Sequence, residues 1–196
     1  MPRRNLLLMA WPAAVSEWGS TAEERSRAYP CDDLIASPAM TLFRSIDVEA
    51  QQEVTFRWLC QLRAAPYSYD KLDNFGRRSP QELTPGLERL ERGQRVATIF
   101  RLAGFEPGES LTIHHRGRIF GEVACTYRAA SVGEERSRIV VKLIWTPARR
   151  GPIGRLERAL LPAGDLVMMR RQLLNLKELA ERTAAEMDKP VAANVG

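Results

Sequence analysis

The chain has 196 residues, a formal charge of +5 and 44% hydrophobic residues. That is enough apolar material for one buried core with an added segment, without disulfide or metal staples. The basic excess suits weak attraction to phosphates or anionic membranes but says little about fold, and no stretch is long and uncharged enough to span a bilayer.

Residues 1–5 carry two arginines ahead of an apolar run at 6–15 (LLLMAWPAAV). A secretory signal starts this way, but Pro12 interrupts the run and the AAVS that follows is a poor cleavage site. A cytoplasmic location is therefore expected. Cys31, Cys60 and Cys125 are odd in number, far apart and outside any CxxC spacing, which fits reduced, buried thiols.

Residues 1–40 read as an N-terminal extension with one short helix. Ser20 or Thr21 caps it, Glu23 and Glu24 fill its first turn, and Pro30 ends it. At 42–48 the pattern alternates as a strand, with Leu42, Ile46 and Val48 on one face together with Arg44. At 51–62 the period lengthens, and Val54, Trp58 and Leu62 fall on one helical face. Pro66 separates that helix from a short turn or helix in the aromatic- and acid-rich segment 67–74 (YSYDKLDN).

From residue 95 the period returns to two. Val96, Thr98, Phe100 and Leu102 form one set, then Leu111, Ile113 and His115. Ile119, Gly121, Val123, Cys125 and Tyr127 form a third, and Ile139, Val141, Leu143 and Trp145 a fourth. Arg101, Glu122, Arg128 and Lys142 take the other face, so an antiparallel sheet with one apolar and one wet face is expected. Residues 146–152 read as a loop. A long helix should then run from Leu166 to Met187, capped by Gly164-Asp165, with Leu166, Met169, Leu173, Leu176 and Ala180 as its stripe. The final segment, 189–196, reads as a flexible tail.

Only the last helix is long enough to cover the apolar face. The predicted class is α+β, a curved antiparallel sheet wrapped around a long C-terminal helix, with the domain proper at 41–188. A straight rod on a curved sheet leaves room for an elongated cavity.

The motifs carry a resemblance. Trp18-Gly19-Ser20-Thr21-Ala22-Glu23-Glu24, Pro30-Cys31-Asp32-Asp33-Leu34, Ile46-Asp47-Val48 with Ala50, Trp58 and the 67–74 segment are similar to an uncharacterised bacterial branch of the START-like, helix-grip superfamily (SRPBCC, or polyketide cyclase/dehydrase and lipid transport). Residues 16–182 are covered. Gln51-Gln52 stand where proline is common in that branch, and Pro-Cys-Asp replaces Pro-Gly-Asp. The resemblance implies binding or transport of a hydrophobic or amphipathic small molecule of lipid, polyketide, quinone or isoprenoid type. It also admits a cyclase- or dehydratase-type enzyme, and that choice stays open on the sequence.

The inward set expected to touch such a ligand is Thr98, Phe100, Leu102, Ile113, His115, Val123, Cys125, Tyr127, Val141 and Leu143, faced by Met169 and Leu173 from the helix. Tyr67 and Tyr69 would form the lip, each offering an apolar ring and a polar tip. No residue is assigned a catalytic role. An enzyme would draw on His115 as base, Tyr127 as donor and Asp70. His114 and His115 point to opposite faces of a strand and no third ligand lies nearby, so no metal is expected. No Walker loop, GxGxxG, HExxH or Gly-x-Ser-x-Gly occurs, and no cofactor is expected. Arg149, Arg150, Arg155 and Arg158 could meet an anionic membrane surface transiently. Nucleic acid is not expected, because aromatics are not interleaved with these arginines. The oligomeric state does not follow from the sequence.

Overall fold

The computed structural model describes residues 12–189 apart from Ile119 and Arg150. Residues 6–11 of the apolar run, the tail from 190 onward, and Ile119 and Arg150 lie outside the described residues.

Two short helices come first, α1 (Ala13–Ser16) and α2 (Ala22–Ser26). Of the two expected caps Thr21 is the one used, and it forms a reciprocal capping box with Glu24 on α2. A 3-10 turn at Pro30–Asp33 leads into strand β1 (Met40–Val48). Helix α3 (Gln52–Cys60), a 3-10 turn at Gln61–Arg63 and helix α4 (Asp70–Asp73) follow. Strands β2 (Arg95–Val96), β3 (Phe100–Glu106), β4 (Ser110–Gly117), β5 (Gly121–Ser131) and β6 (Ser137–Thr146) precede α5 (Gly151–Met187).

The strands make one curved six-stranded sheet in the order β1-β6-β5-β4-β3-β2, antiparallel throughout. Alternation puts Leu42, Val48, Leu111, Ile113, Cys125, Ile139 and Val141 on its inner face, where Leu173, Leu176 and Ala180 of α5 and Val54, Trp58 and Leu59 of α3 join them in one core. The α+β arrangement read from the sequence is the one observed. Among the described residues, no helix is long and apolar enough to cross a membrane.

Three local expectations are corrected. Thr98 is not on the inner face: Ala97 and Thr98 have φ of 40° and 69° and make the turn between β2 and β3, leaving Thr98 exposed. Val96 and Phe100 pair across that hairpin, and paired residues share a face, which mimics an unbroken alternation. The last helix starts at Gly151, not Leu166, and carries Pro162 inside it. Pro152 sits in the first turn, where a missing N–H costs nothing, and Pro162 removes one rung from an otherwise long ladder. Nor is the outer face of the sheet wet throughout. Tyr29, Cys31 and Ile35 cover Phe43, Ala124, Val140 and Ile144 in a second apolar cluster.

The leader is tied down by specific contacts. The Ser45 amide donates to Trp18 O at 3.0 Å, and a Cβ on Gly19 (φ 74°) would lie 2.1 Å from Ser45 O, so this approach requires glycine. Arg138 Nε reaches Glu24 at 2.5 Å and its Nη1 reaches Asp47 at 2.6 Å. Lys142 pairs with Asp32 at 2.6 Å and lies over the Tyr29 and Phe43 rings.

Candidate ligand-binding site

The middle of the grip is filled. Leu102, Ile113, Cys125, Val141 and Leu173 are at most 1% exposed, and Val123, Tyr127, Leu143 and Met169 are buried with them. Nine of the residues expected to line a central cavity are therefore core. Tyr127 is held by a polar chain. Its hydroxyl donates to Gln172 Oε1 at 2.9 Å, and Gln172 Nε2 donates to Pro66 O at 2.6 Å, tying β5, α5 and the 66–68 segment together. Burial pushes the Tyr127 hydroxyl and the Cys125 thiol well above their usual range.

Phe100 and His115 sit toward the sheet edge in an aromatic row with Phe120, at centroid distances of 5.9 and 6.3 Å. His115 Nδ1 is 3.0 Å from Ile99 O. A carbonyl only accepts, so Nδ1 is the donor of this contact and the other ring nitrogen, Nε2, takes no part in it. A Cβ on Gly117 would come within 2.6 Å of that Nε2, so glycine there makes room for the ring. His115 pairs with Val123 and Tyr127 with Leu111. The two side chains are thus four positions apart along the strands, about 13 Å.

Asp70 is at neither place. Its carboxylate accepts the Ser79 amide at 2.9 Å and the Ser79 hydroxyl at 2.6 Å, closing the 70–79 loop. His115, Tyr127 and Asp70 are not brought together. Tyr67 and Tyr69 do line a pocket, of about 650 Å³, but it lies between the 67–81 segment and α5. Its other walls combine Asp70, Lys71, Arg171 and Glu178 with Leu72 and Leu179. Tyr67 itself is buried edge-on against Trp58, and its hydroxyl, pushed upward by burial, has no partner among the described residues.

The apolar opening lies at the other end of the grip. A groove of about 590 Å³ runs between the first half of α5 and the Phe120–Trp145 end of the sheet. Ile153, Leu156, Leu160 and Leu161 form its helical wall. Trp145 forms part of the other, its indole N–H spent on Phe120 O at 2.6 Å. Two carboxylates interrupt the apolar lining, Glu157 and Asp165. Arg44, on the inner face of β1 and opposite Val141 of β6, reaches Asp165 Oδ2 through Nη2 at 2.7 Å and donates to Phe43 O through Nη1 at 2.7 Å. Arg44 is fully buried, and its Nε has no partner among the described residues. Burial pushes the Asp165 carboxyl up to about 6, against the pull of Arg44. Asp165 was expected to cap a helix start. Because α5 begins fourteen residues earlier, it instead points its acid at the sheet. The readable signal was Arg44 itself, an arginine on the apolar side of a strand, which must find an acid.

A β1-first antiparallel sheet closed on β6, with one long terminal helix across its inner face and short helices at one end, decides the architecture. This is a helix-grip fold. Among solved structures, this helix-grip chain is similar to the Zhui aromatase/cyclase from Streptomyces sp. R1128, at 16% identity and TM-score 0.45, over 78% of this chain and 97% of that one. It is similar to the protein XoxI from Bacillus cereus, at 15% and 0.48, over 76% and 99%. It is similar to a norcoclaurine synthase point mutant from Thalictrum flavum, at 8% and 0.40, over 73% and 94%. No family model and no curated protein matches the chain. With every one of these TM-scores below 0.5, the helix-grip assignment rests on strand order and helix placement. Among the described residues, no group of three His, Cys, Asp or Glu side chains could hold a metal ion.

Proposed function

We propose that this protein binds a hydrophobic or amphipathic small molecule in the groove between the first half of α5 and the Phe120–Trp145 end of the sheet. The observation that carries the reading is an apolar groove of about 590 Å³ lined in part by Asp165, the acid of a buried ion pair with Arg44. Its size and composition are those of small-molecule sites, largely apolar with few polar groups that orient the guest. Burial of ligand surface supplies affinity at roughly 25 cal/mol per Å², before the costs of association. Lipid, polyketide, quinone and isoprenoid compounds all present such surface. A cyclase- or dehydratase-type reaction has less support, because the residues expected to move protons stand apart.

The test uses N-phenyl-1-naphthylamine, a neutral dye whose fluorescence rises in apolar sites. Saturable enhancement is expected. Leu156→Arg and Leu160→Arg should weaken it about tenfold, the equivalent of ~1.4 kcal/mol, with little change in thermal midpoint, since both side chains are more than half exposed. A linear, unsaturable response, or binding indifferent to both substitutions, rejects the groove as the site.

A further inference from the structure

We propose that the groove selects neutral compounds carrying hydrogen-bond donors, phenols or alcohols, over free acids. This rests on the groove being the binding site, and it names the class of ligand. The acidic groups that break the apolar lining are two carboxylates, Asp165 and Glu157. Asp165 spends Oδ2 on Arg44 and still lines the groove. Glu157 Oε1 meets Arg149 Nη1 at 3.5 Å, while its Oε2 is buried with no partner among the described residues. An ionised carboxylate only accepts; Glu157 Oε2 lacks a donor, and a turn of this partly exposed side chain would let it meet an O–H from the guest, while Asp165 brings the groove an acceptor beyond the one spent on Arg44. A free acid brings acceptors to acceptors.

The cations do not reverse this. The Arg44 side chain is 1% exposed and stands behind Asp165, beyond reach of a ligand carboxylate. Arg149 is half exposed at the rim and already shared with Glu157. Two carboxylates and two guanidinium groups cancel, so the groove offers no net field to attract an amine in preference to a neutral hydroxyl. Glu157 and Asp165 are eight residues apart on α5, about 12 Å along its axis. A rigid apolar body with a hydroxyl at each end would engage both.

The experiment is displacement of N-phenyl-1-naphthylamine at pH 7.5 by naphthalene, 2-naphthol and 2-naphthoate, which share one apolar body. The expected order is 2-naphthol about tenfold tighter than naphthalene, and 2-naphthoate weaker than 2-naphthol by at least as much. Asp165→Asn should remove most of the 2-naphthol advantage and leave naphthalene unchanged. Glu157→Gln, at a more exposed position, serves if Asp165→Asn does not fold. The groups around Asp165 are Arg44 from β1, Cys125 and Tyr127 from β5, and Arg149 and Glu157 along the groove. Protonation makes Asp165 a donor, so the 2-naphthol advantage should shrink as pH falls through about 6. Equal binding of naphthalene and 2-naphthol, or tightest binding of 2-naphthoate, overturns the selectivity while leaving the groove as the site. Failure of the dye and all three compounds to bind removes the site and the selectivity together.

Discussion

Asp165 illustrates how one side chain sets a pH response. Its carboxyl is raised to about 6, first by burial and with Arg44 opposing. The folded chain therefore takes up this proton more readily than the unfolded chain does. Its contribution to stability is greatest below about pH 4 and is lost as pH rises to about 6, after which it is flat. The span of about two pH units corresponds to on the order of 3 kcal/mol. Glu24, lowered through its contacts with Arg138, Thr21 and Ser45 despite the opposing effect of burial, slopes the other way. The difference between the wild type and Asp165→Asn isolates the first effect. Urea unfolding between pH 4 and 7 should show the wild type losing stability relative to the variant as pH rises. Parallel curves would place Asp165 in contact with water.

Between elements, the Arg44–Asp165 pair joins β1 to α5 across the core, where an uncompensated charge is expensive. Arg44→Met leaves the acid alone and should cost about 3–5 kcal/mol. Adding Asp165→Leu removes both charges, so the double variant should recover most of that loss. Denaturant midpoints of the two single variants and the double variant measure the coupling, and additive losses would contradict a direct pair. The same element scale explains the leader motif. Trp18 O meets the edge of β1, Gly19 allows the approach, and Glu24 reaches Arg138. These are packing roles.

Across the whole molecule, the three thiols report on unity. Cys31 lies within the outer cover, Cys60 at the end of α3 and Cys125 in the grip, and all three are free and buried. Burial raises each, Cys60 to about 12, which leaves almost no thiolate near neutral pH. Iodoacetamide should therefore label none of them in the native chain, and all three should become reactive in one transition as urea unfolds it. Early labelling of Cys31 alone would mean that the 29–35 cover detaches before the sheet opens.

Strand alternation, the helix start at Ser20-Thr21 with its first-turn acids, and the apolar stripe of the last helix were legible because each depends on residues a few positions apart. From those local periods alone came the α+β class and a sheet gripping a terminal helix. Three-dimensional packing decided the rest. It filled the centre of the grip, so that Tyr127 and Leu143 became core, and it moved the open space to the end of α5. It carried the helix back through Pro162 to Gly151, so that one proline did not end the helix. It covered the outer face with Tyr29 and Ile35. It also brought Arg44 to Asp165, 121 residues away, since the acid that neutralises a buried arginine is chosen by proximity in the fold, which no local pattern encodes.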